Sequence, residues 1–143
     1  MALATVLLVD DEVPFVETMT KRLTHRDLEI IPAYDGREAL EKLKKHPNIE
    51  VVVLDVKMPG MDGIETLKEI KQHYPIKEVI MLTGHATVES AIEGMKKGAF
   101  DYLMKPCDID TLVSKTTEAA KKKRKHEEKI IEAQIKEITT RGR

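Results

Sequence analysis

Short, mostly apolar runs alternate along the chain with longer segments whose apolar residues recur at helical spacing. Five runs have the length and composition of buried strands, namely residues 5–9, 29–32, 51–54, 78–82 and 101–104. Each run is followed by an amphipathic stripe, and the first of these stripes comprises Phe15, Val16, Met19 and Leu23. Five strand–helix pairs in this order predict a parallel sheet with helices on both faces.

Polar residues follow the predicted strands at the point where each strand ends. Asp10 and Asp11 follow the first strand, and Asp55 follows the third. Thr83 follows the fourth strand and Lys105 the fifth. Parallel crossovers bring the carboxyl ends of all strands to one edge of the sheet, which is where open α/β sheets bind ligands. The sequence therefore predicts that these five residues lie together.

The chemistry of this set favours a metal ion and a phosphoryl group. Three neighbouring carboxylates repel one another and remain ionised only when a cation joins them. A hard divalent ion with oxygen ligands, Mg²⁺ or Mn²⁺, meets that need. Lys105 adds a positive charge and Thr83 a hydroxyl donor, so the set suits a phosphoryl group, and an Asp in such a site can be the nucleophile. Taken singly, an Asp after a strand is usually a turn residue or a helix cap.

Composition limits the class of protein without identifying it. The chain has 143 residues, of which 41% are hydrophobic and 34% charged, and a formal net charge of −1. This balance gives no general attraction to nucleic acid or to an anionic membrane. The first apolar run stops at Asp10, too early for a signal peptide or a membrane span. The single Cys107 excludes an internal disulfide and predicts a cytoplasmic location.

Four motifs resemble those of one known family, the receiver domains of two-component response regulators. They are LLVDDE at residues 7–12, LDVKMPGMDG at 54–63, MLTGHAT at 81–87 and GAFDYLMKP at 98–106. The resemblance covers about residues 4 to 120. It implies a flavodoxin-like, doubly wound, five-stranded parallel sheet of order 2-1-3-4-5 with five helices, the last of them extended. The predicted domains are a receiver over residues 1–120 and a C-terminal helical extension or linker over 121–143.

The resemblance also assigns roles to the carboxylates. Asp55 matches the phosphoacceptor. Asp10, Asp11 and Asp55, together with the backbone carbonyl of Lys57, match the ligands that hold Mg²⁺. The implied function is to accept a phosphoryl group from the phosphohistidine of a sensor histidine kinase or phosphotransfer protein and then to change conformation. On this basis the chain is a self-catalysing phosphoacceptor with slow autodephosphorylation rather than an enzyme.

Four further residues match the family's switch and loop positions. Thr83 and Lys105 match the hydroxyl and the ammonium that bind phosphoryl oxygens. Tyr102 matches the aromatic switch that turns inward when the threonine moves, and Pro106 matches a cis-proline that shapes the following loop.

Lys57 and His85 occupy the two positions that tune dephosphorylation in the family. Neither is a carboxylate or an amide that would orient a water molecule, so we expect a slow autodephosphorylation. Lys57 also argues against a second class, the haloacid-dehalogenase-like phosphatases, which need an Asp at that position. The motifs G-x-x-x-x-G-K-[ST] and G-x-G-x-x-G do not occur, which disfavours nucleotide-binding enzymes. The complete set of site residues argues against a third class, a receiver used only for docking, and Mg²⁺-dependent labelling would decide.

The last 23 residues, 121–143, differ in composition from the rest of the chain. The basic run at 121–125 precedes two glutamates, so we interpret it as a solvated helix face rather than a nucleic-acid site. Val113, Ala120, Ile131 and Ile138 keep to one helical face, which predicts one helix over about residues 108–138.

Two interpretations of this extension remain open. It is either a solvated tail or a helix that pairs with a second copy, and a homodimer would use it together with the face formed by helix four, strand five and helix five. The chain is either a stand-alone regulator or a receiver taken from a transcriptional activator with ATPase and DNA-binding domains.

Overall fold

A computed structural model describes residues 2–85 and 87–141. Met1, Ala86 of the MLTGHAT motif and residues 142–143 of the predicted extension lie outside the described residues. Strands and helices alternate in the order β1 (Ala4–Val9), α1 (Val13–Thr24), β2 (Leu28–Ala33), α2 (Gly36–Lys45), β3 (Val51–Leu54), α3 (Gly63–His73), β4 (Glu78–Thr83), α4 (Val88–Lys96), β5 (Asp101–Met104) and α5 (Ile109–Arg141).

The five strands form one parallel sheet in the order β2-β1-β3-β4-β5, which confirms the predicted topology. Alternate residues of the central strands pack on opposite faces of the sheet. One face buries Val6, Leu8 and Val53 against α1 and α5. The other buries Leu7 and Val52 against α2 and α3. Since both faces are covered by helices, the central strands read as continuous apolar runs.

Two aspartates in this fold cap helices, as isolated aspartates usually do. Asp35 accepts a hydrogen bond from the Glu38 N–H at the start of α2, at 2.8 Å, and Asp62 accepts one from the Glu65 N–H at the start of α3, at 2.9 Å. Gly63 follows the second cap, where a Cβ atom would collide with the Asp55 carbonyl oxygen. Glycine there lets the loop after β3 close tightly beneath the sheet edge.

Helix α5 extends well beyond the sheet. Its first turns are held by a buried row of four residues, Leu112, Thr116, Ala119 and Ala120. Beyond these turns the apolar residues face outward, so that Ile131 is 48% exposed and Ile138 70% exposed. The predicted long last helix is therefore confirmed, and its distal half has no apolar cover within the described part of the chain.

The basic run at 121–125 is exposed at four of its five positions, as expected for a solvated helix face, and two of its residues also pair with acidic residues at the edge of the sheet. Arg124 donates to both carboxylate oxygens of Glu50, at 2.6 and 2.7 Å, and to the carbonyl oxygen of Leu3 at 2.8 Å. Lys122 lies 3.4 Å from the carboxylate of Glu78. These acidic residues lie at the amino ends of β3 and β4, a juxtaposition that only the tertiary fold creates.

Within residues 2–85 and 87–141, no helix is both long enough and apolar enough to cross a membrane.

Candidate functional site

Asp10 and Asp55 lie side by side at the carboxyl edge of the sheet. The Asp10 N–H donates to the carbonyl oxygen of Ala33 at 3.1 Å, and the Asp55 N–H donates to that of Val9 at 3.0 Å, so both residues continue the strand pairing. Asp10 is only 1% exposed and Asp55 2%. The backbone therefore fixes both carboxylates at the edge, where the sequence predicted them.

Asp11 completes a cluster that has the properties of a metal site. One carboxylate oxygen from each of Asp10, Asp11 and Asp55 lies within 4.8 Å of the others. Two of the three residues are buried and Asp11 is exposed, so the cluster is anchored on one side and open to solvent on the other. Hard oxygen donors in this number fit Mg²⁺, which keeps part of its water shell. The role of the Lys57 carbonyl as a further ligand stays a prediction.

Lys105 is the cation that the fold itself brings to this cluster. Its Nζ donates to Asp10 Oδ2 at 2.6 Å and to Glu12 Oε1 at 3.3 Å, and lies 3.8 Å from Asp55 Oδ2. The Lys105–Pro106 peptide bond is cis, as predicted. One ammonium thus faces several carboxylates, so the site carries excess negative charge.

The titration of the two closest partners reflects this imbalance. Burial raises the pKa of the Asp10 carboxyl, and the charge of Asp55 adds to this effect, although hydrogen bonds from Lys105 and from the Glu12 N–H oppose it. Burial alone would lower the pKa of Lys105, but its hydrogen bond to Asp10 and the charges of Asp10 and Asp55 raise it above its ordinary value. The lysine therefore stays charged while one carboxylate resists ionisation.

Thr83 and Lys105 are joined through their backbones at the same edge. The Lys105 N–H donates to the Thr83 carbonyl oxygen at 2.9 Å. The Thr83 side chain is fully buried, and its Oγ1 accepts the His85 N–H at 3.0 Å. The sheet thus brings the predicted hydroxyl and ammonium to the same edge as the carboxylates.

Tyr102 is tied to α4 rather than to Thr83. Its hydroxyl lies 2.7 Å from Ser90 Oγ, and the side chain is half-buried. Ser90 also completes a capping box with Thr87, whose Oγ1 accepts the Ser90 N–H at 3.0 Å. Ser90 was given no role from sequence, although the pattern T-x-x-S at residues 87–90 indicates a helix start.

A cleft of about 520 Å³ opens beside Asp11 of the carboxylate cluster. Six residues line it: Asp11, Glu12, Lys57, Met58, Pro59 and His85. Lys57 and His85, the two predicted tuning residues, are both exposed there. Asp11 of the carboxylate cluster lines the same cleft, so the two predicted tuning residues lie on the open side of that cluster.

Two residues that contact Lys105 were given no role from sequence. Glu12 accepts a hydrogen bond from Lys105, and the ring of Phe15 lies with its centroid 4.0 Å from the same Nζ. The helical stripe places Phe15 on α1 but does not reveal that the first turn of α1 reaches β5. That contact depends on the packing of the two elements.

Comparison with known proteins gives consistent results. The model for the response regulator receiver domain matches residues 6–117. The chain is 40% identical over 112 residues to the regulatory protein AtoC of Escherichia coli (strain K12). The matched segment covers 78% of this chain and 24% of AtoC. Hence the chain spans about a quarter of the length of that relative.

Solved structures agree in fold. A response regulator receiver domain protein from Clostridium thermocellum is 35% identical with a TM-score of 0.81, over 85% of this chain and 97% of that one. A chain of the CheX–CheY–BeF3–Mg²⁺ complex from Borrelia burgdorferi is 37% identical with a TM-score of 0.74, over 78% and 85%. The chain belongs to the response regulator receiver domain family.

Proposed function

We propose that this receiver accepts a phosphoryl group on Asp55 from the phosphohistidine of a sensor histidine kinase or phosphotransfer protein. The observation that carries the proposal is the convergence of Asp10, Asp11 and Asp55, whose oxygens lie within 4.8 Å of one another, with Lys105 beside them. The reaction takes place in the cytoplasm, where the single Cys107 remains reduced. The chain acts as a signalling phosphoacceptor and not as an enzyme.

In the transfer step, an oxygen of the Asp55 carboxylate attacks phosphorus in line with the departing histidine nitrogen. The new O–P bond forms as the P–N bond breaks, and the nitrogen leaves with the electron pair. Lys105 and the Thr83 hydroxyl donate to the phosphoryl oxygens as their charge redistributes. Asp10, Asp11, Asp55 and the Lys57 carbonyl would hold Mg²⁺, which when bound would neutralise charge on the carboxylate and on the incoming phosphoryl group.

The phosphorylated state passes to the surface through Thr83 and Tyr102. When the Thr83 hydroxyl turns toward the phosphoryl group, it gives up its bond with the His85 N–H, which loosens the loop before α4. Tyr102 then leaves Ser90 and turns inward, so the capping box of α4 loses its contact with β5. The change thus begins as a rearrangement of two hydroxyl groups and ends at a helix terminus.

The outward face of α4 and β5 carries exposed apolar residues that a partner protein would contact. Val88, Ile92, Met95 and Met104 are all exposed there. This face, together with the exposed isoleucines of α5, supports a phosphorylation-dependent homodimer. Static light scattering at high concentration tests the dimer, and a monomer in both phosphorylation states would overturn it.

Dephosphorylation is slow, because Lys57 and His85 at the cleft entrance do not provide a carboxylate or amide that orients water. Radiolabel decay measures this lifetime directly, and a lifetime of seconds would contradict it.

The test of the central proposal is labelling with radioactive acetyl phosphate or a phosphorylated kinase in the presence of Mg²⁺. Asp55→Asn should abolish labelling. Asp62→Asn is the matched control, since Asp62 lies in the same loop but caps α3, a role that Asn also fills. Equal labelling of Asp55→Asn would place the acceptor elsewhere. A wild-type chain that takes no label would instead favour a receiver used only for docking.

A further inference from the structure

The aromatic ring of Phe15 lies against the ammonium of Lys105. The distance from Nζ to the ring centroid is 4.0 Å, within the range of a cation–π contact. Phe15 is half-buried and packs against the core cluster beneath α1, so its ring is held from behind. Lys105 is only 14% exposed on its side chain, so the contact is largely shielded from water.

The other groups around this ammonium are acidic. Nζ lies 2.6 Å from an oxygen of Asp10, 3.3 Å from Glu12 and 3.8 Å from Asp55. Asp10 and Glu12 each accept an N–H of the ammonium, and Asp55 attracts its charge. All three therefore compete with a phosphoryl oxygen for Lys105. The ring differs in kind, because its π face attracts the positive charge and accepts no conventional hydrogen bond from it.

We propose that Phe15 is a positioning residue for Lys105: its ring holds the ammonium at the sheet edge without taking any of the N–H groups that turn to a phosphoryl oxygen on Asp55. This role rests on the proposed function of the site. It predicts that loss of the ring weakens phosphoryl binding while the three aspartates still bind Mg²⁺ as before.

The first measurement needs neither metal nor phosphate. An aromatic ring shifts nearby protons upfield in NMR, so the ε-methylene protons of Lys105 should resonate upfield of ordinary lysines. Phe15→Leu should return them toward ordinary values, whereas Phe15→Tyr should keep them upfield. Unchanged Lys105 shifts in Phe15→Leu would overturn the contact itself.

The second measurement uses beryllofluoride with Mg²⁺ as a stable substitute for the phosphoryl group. Cation–π contacts range from about 0.5 to 2 kcal/mol, so Phe15→Leu should weaken beryllofluoride binding by about 2- to 30-fold. Phe15→Tyr should restore it, and titration with Mg²⁺ alone should give the same affinity in all three proteins. Phe15→Met replaces the Leu variant if that variant does not fold.

Phe100 provides the matched control, because its ring lies 5.5 Å from Nζ of Lys122 and packs against the same core cluster, away from the site. Phe100→Leu should leave beryllofluoride affinity unchanged. Equal affinity in wild type and Phe15→Leu would overturn the positioning role, and so would an equal loss in Phe100→Leu. A wild-type protein that does not bind beryllofluoride would instead refute the proposed function, whatever the NMR shifts show.

Discussion

The sheet carries a cluster of charged side chains at each end, and the two clusters differ in balance. At the carboxyl edge, Asp10, Asp11 and Asp55 face a single ammonium from Lys105. At the amino edge, Glu50 is held by the guanidinium of Arg124, and two lysines lie near Glu78. Acidic residues are thus in excess at one end and outnumbered by basic residues at the other.

The pKa values of Glu50 and Asp10 shift in opposite directions at the two edges. Burial tends to raise the pKa of Glu50, but hydrogen bonds from Arg124 and its charge outweigh burial and lower the pKa. Burial raises the pKa of Asp10, and the opposing bond from Lys105 does not compensate. The same type of group is therefore stabilised as an anion at one end and destabilised at the other.

This contrast explains why one cluster is structural and the other suited to chemistry. A balanced pair such as Glu50 and Arg124 satisfies its own charges and has little to gain from a further ion. An excess of carboxylates gains from any cation that joins it. Burial of Asp10, together with the nearby charge of Asp55, makes a further cation favourable at the carboxyl edge.

The largest expected effect is stabilisation of the fold by Mg²⁺. At a free concentration of about 100 times Kd, a ligand that binds only the folded state adds about 2.7 kcal/mol to the free energy of unfolding. Urea unfolding at constant ionic strength should show this gain in wild type and none in Asp55→Asn. Glu50→Gln should retain the gain, although it starts from a lower stability. A gain of equal size in Asp55→Asn would show that the ion binds elsewhere.

The next effect is a loss at the amino edge. Arg124→Met should lower the free energy of unfolding by about 1–2 kcal/mol, because Glu50 loses two charge-assisted hydrogen bonds, and the exposure of Arg124 keeps the loss moderate. Arg141→Met is the control, since Arg141 pairs with Glu137 on the exposed end of α5, and its change should stay within about 0.5 kcal/mol. Equal losses in the two variants would make the Glu50 pair an ordinary surface ion pair.

At the carboxyl edge, removal of a charge should instead increase the free energy of unfolding. Asp10→Asn removes a buried carboxylate whose pKa is raised. Without Mg²⁺, this variant should therefore increase the free energy of unfolding by on the order of 1 kcal/mol at pH 7. Asp11→Asn changes an exposed carboxylate and should stay within about 0.5 kcal/mol of wild type. If Asp10→Asn instead destabilised the protein, its bond to Lys105 would be a net stabilising contact, and the two edges would not differ.

The carboxyl edge could be predicted from sequence for a simple reason. Asp10, Asp55 and Lys105 each follow a strand and Thr83 ends one, and a parallel sheet sends the ends of its strands to one edge whatever the details of packing. The amino edge could not be predicted in this way. Glu50 and Arg124 are 74 positions apart, and their pairing depends on how far α5 continues past the sheet.

The residues around Lys105 show the same limit on a smaller scale. The lysine itself comes from the pattern at the end of β5, whereas Glu12 and Phe15 reach it from the start of α1. A helical stripe indicates which residues face the sheet. It does not indicate which side chain of a neighbouring element each of them contacts. Contacts between elements that are distant in sequence are therefore the part that only the folded structure reveals.

The smallest expected effect is the pH dependence of two stability changes, the loss in Arg124→Met and the gain in Asp10→Asn. It tests the contrast between the two edges most directly. The folded pKa of Glu50 lies below its ordinary 4.5, so the stability that this pair adds is present above pH 4.5 and is lost as pH falls through the folded value. The folded pKa of Asp10 lies above its ordinary 3.8, so the cost of ionising it appears as pH rises from 3.8 through the folded value. In urea unfolding from pH 7 to pH 3, the difference in free energy of unfolding between each variant and wild type should therefore shrink. Arg124→Met should approach wild type from lower stability and Asp10→Asn from higher stability. Curves that stay parallel across this range would mean that neither carboxyl changes its pKa on folding, and the distinction between the two edges would lose its electrostatic basis.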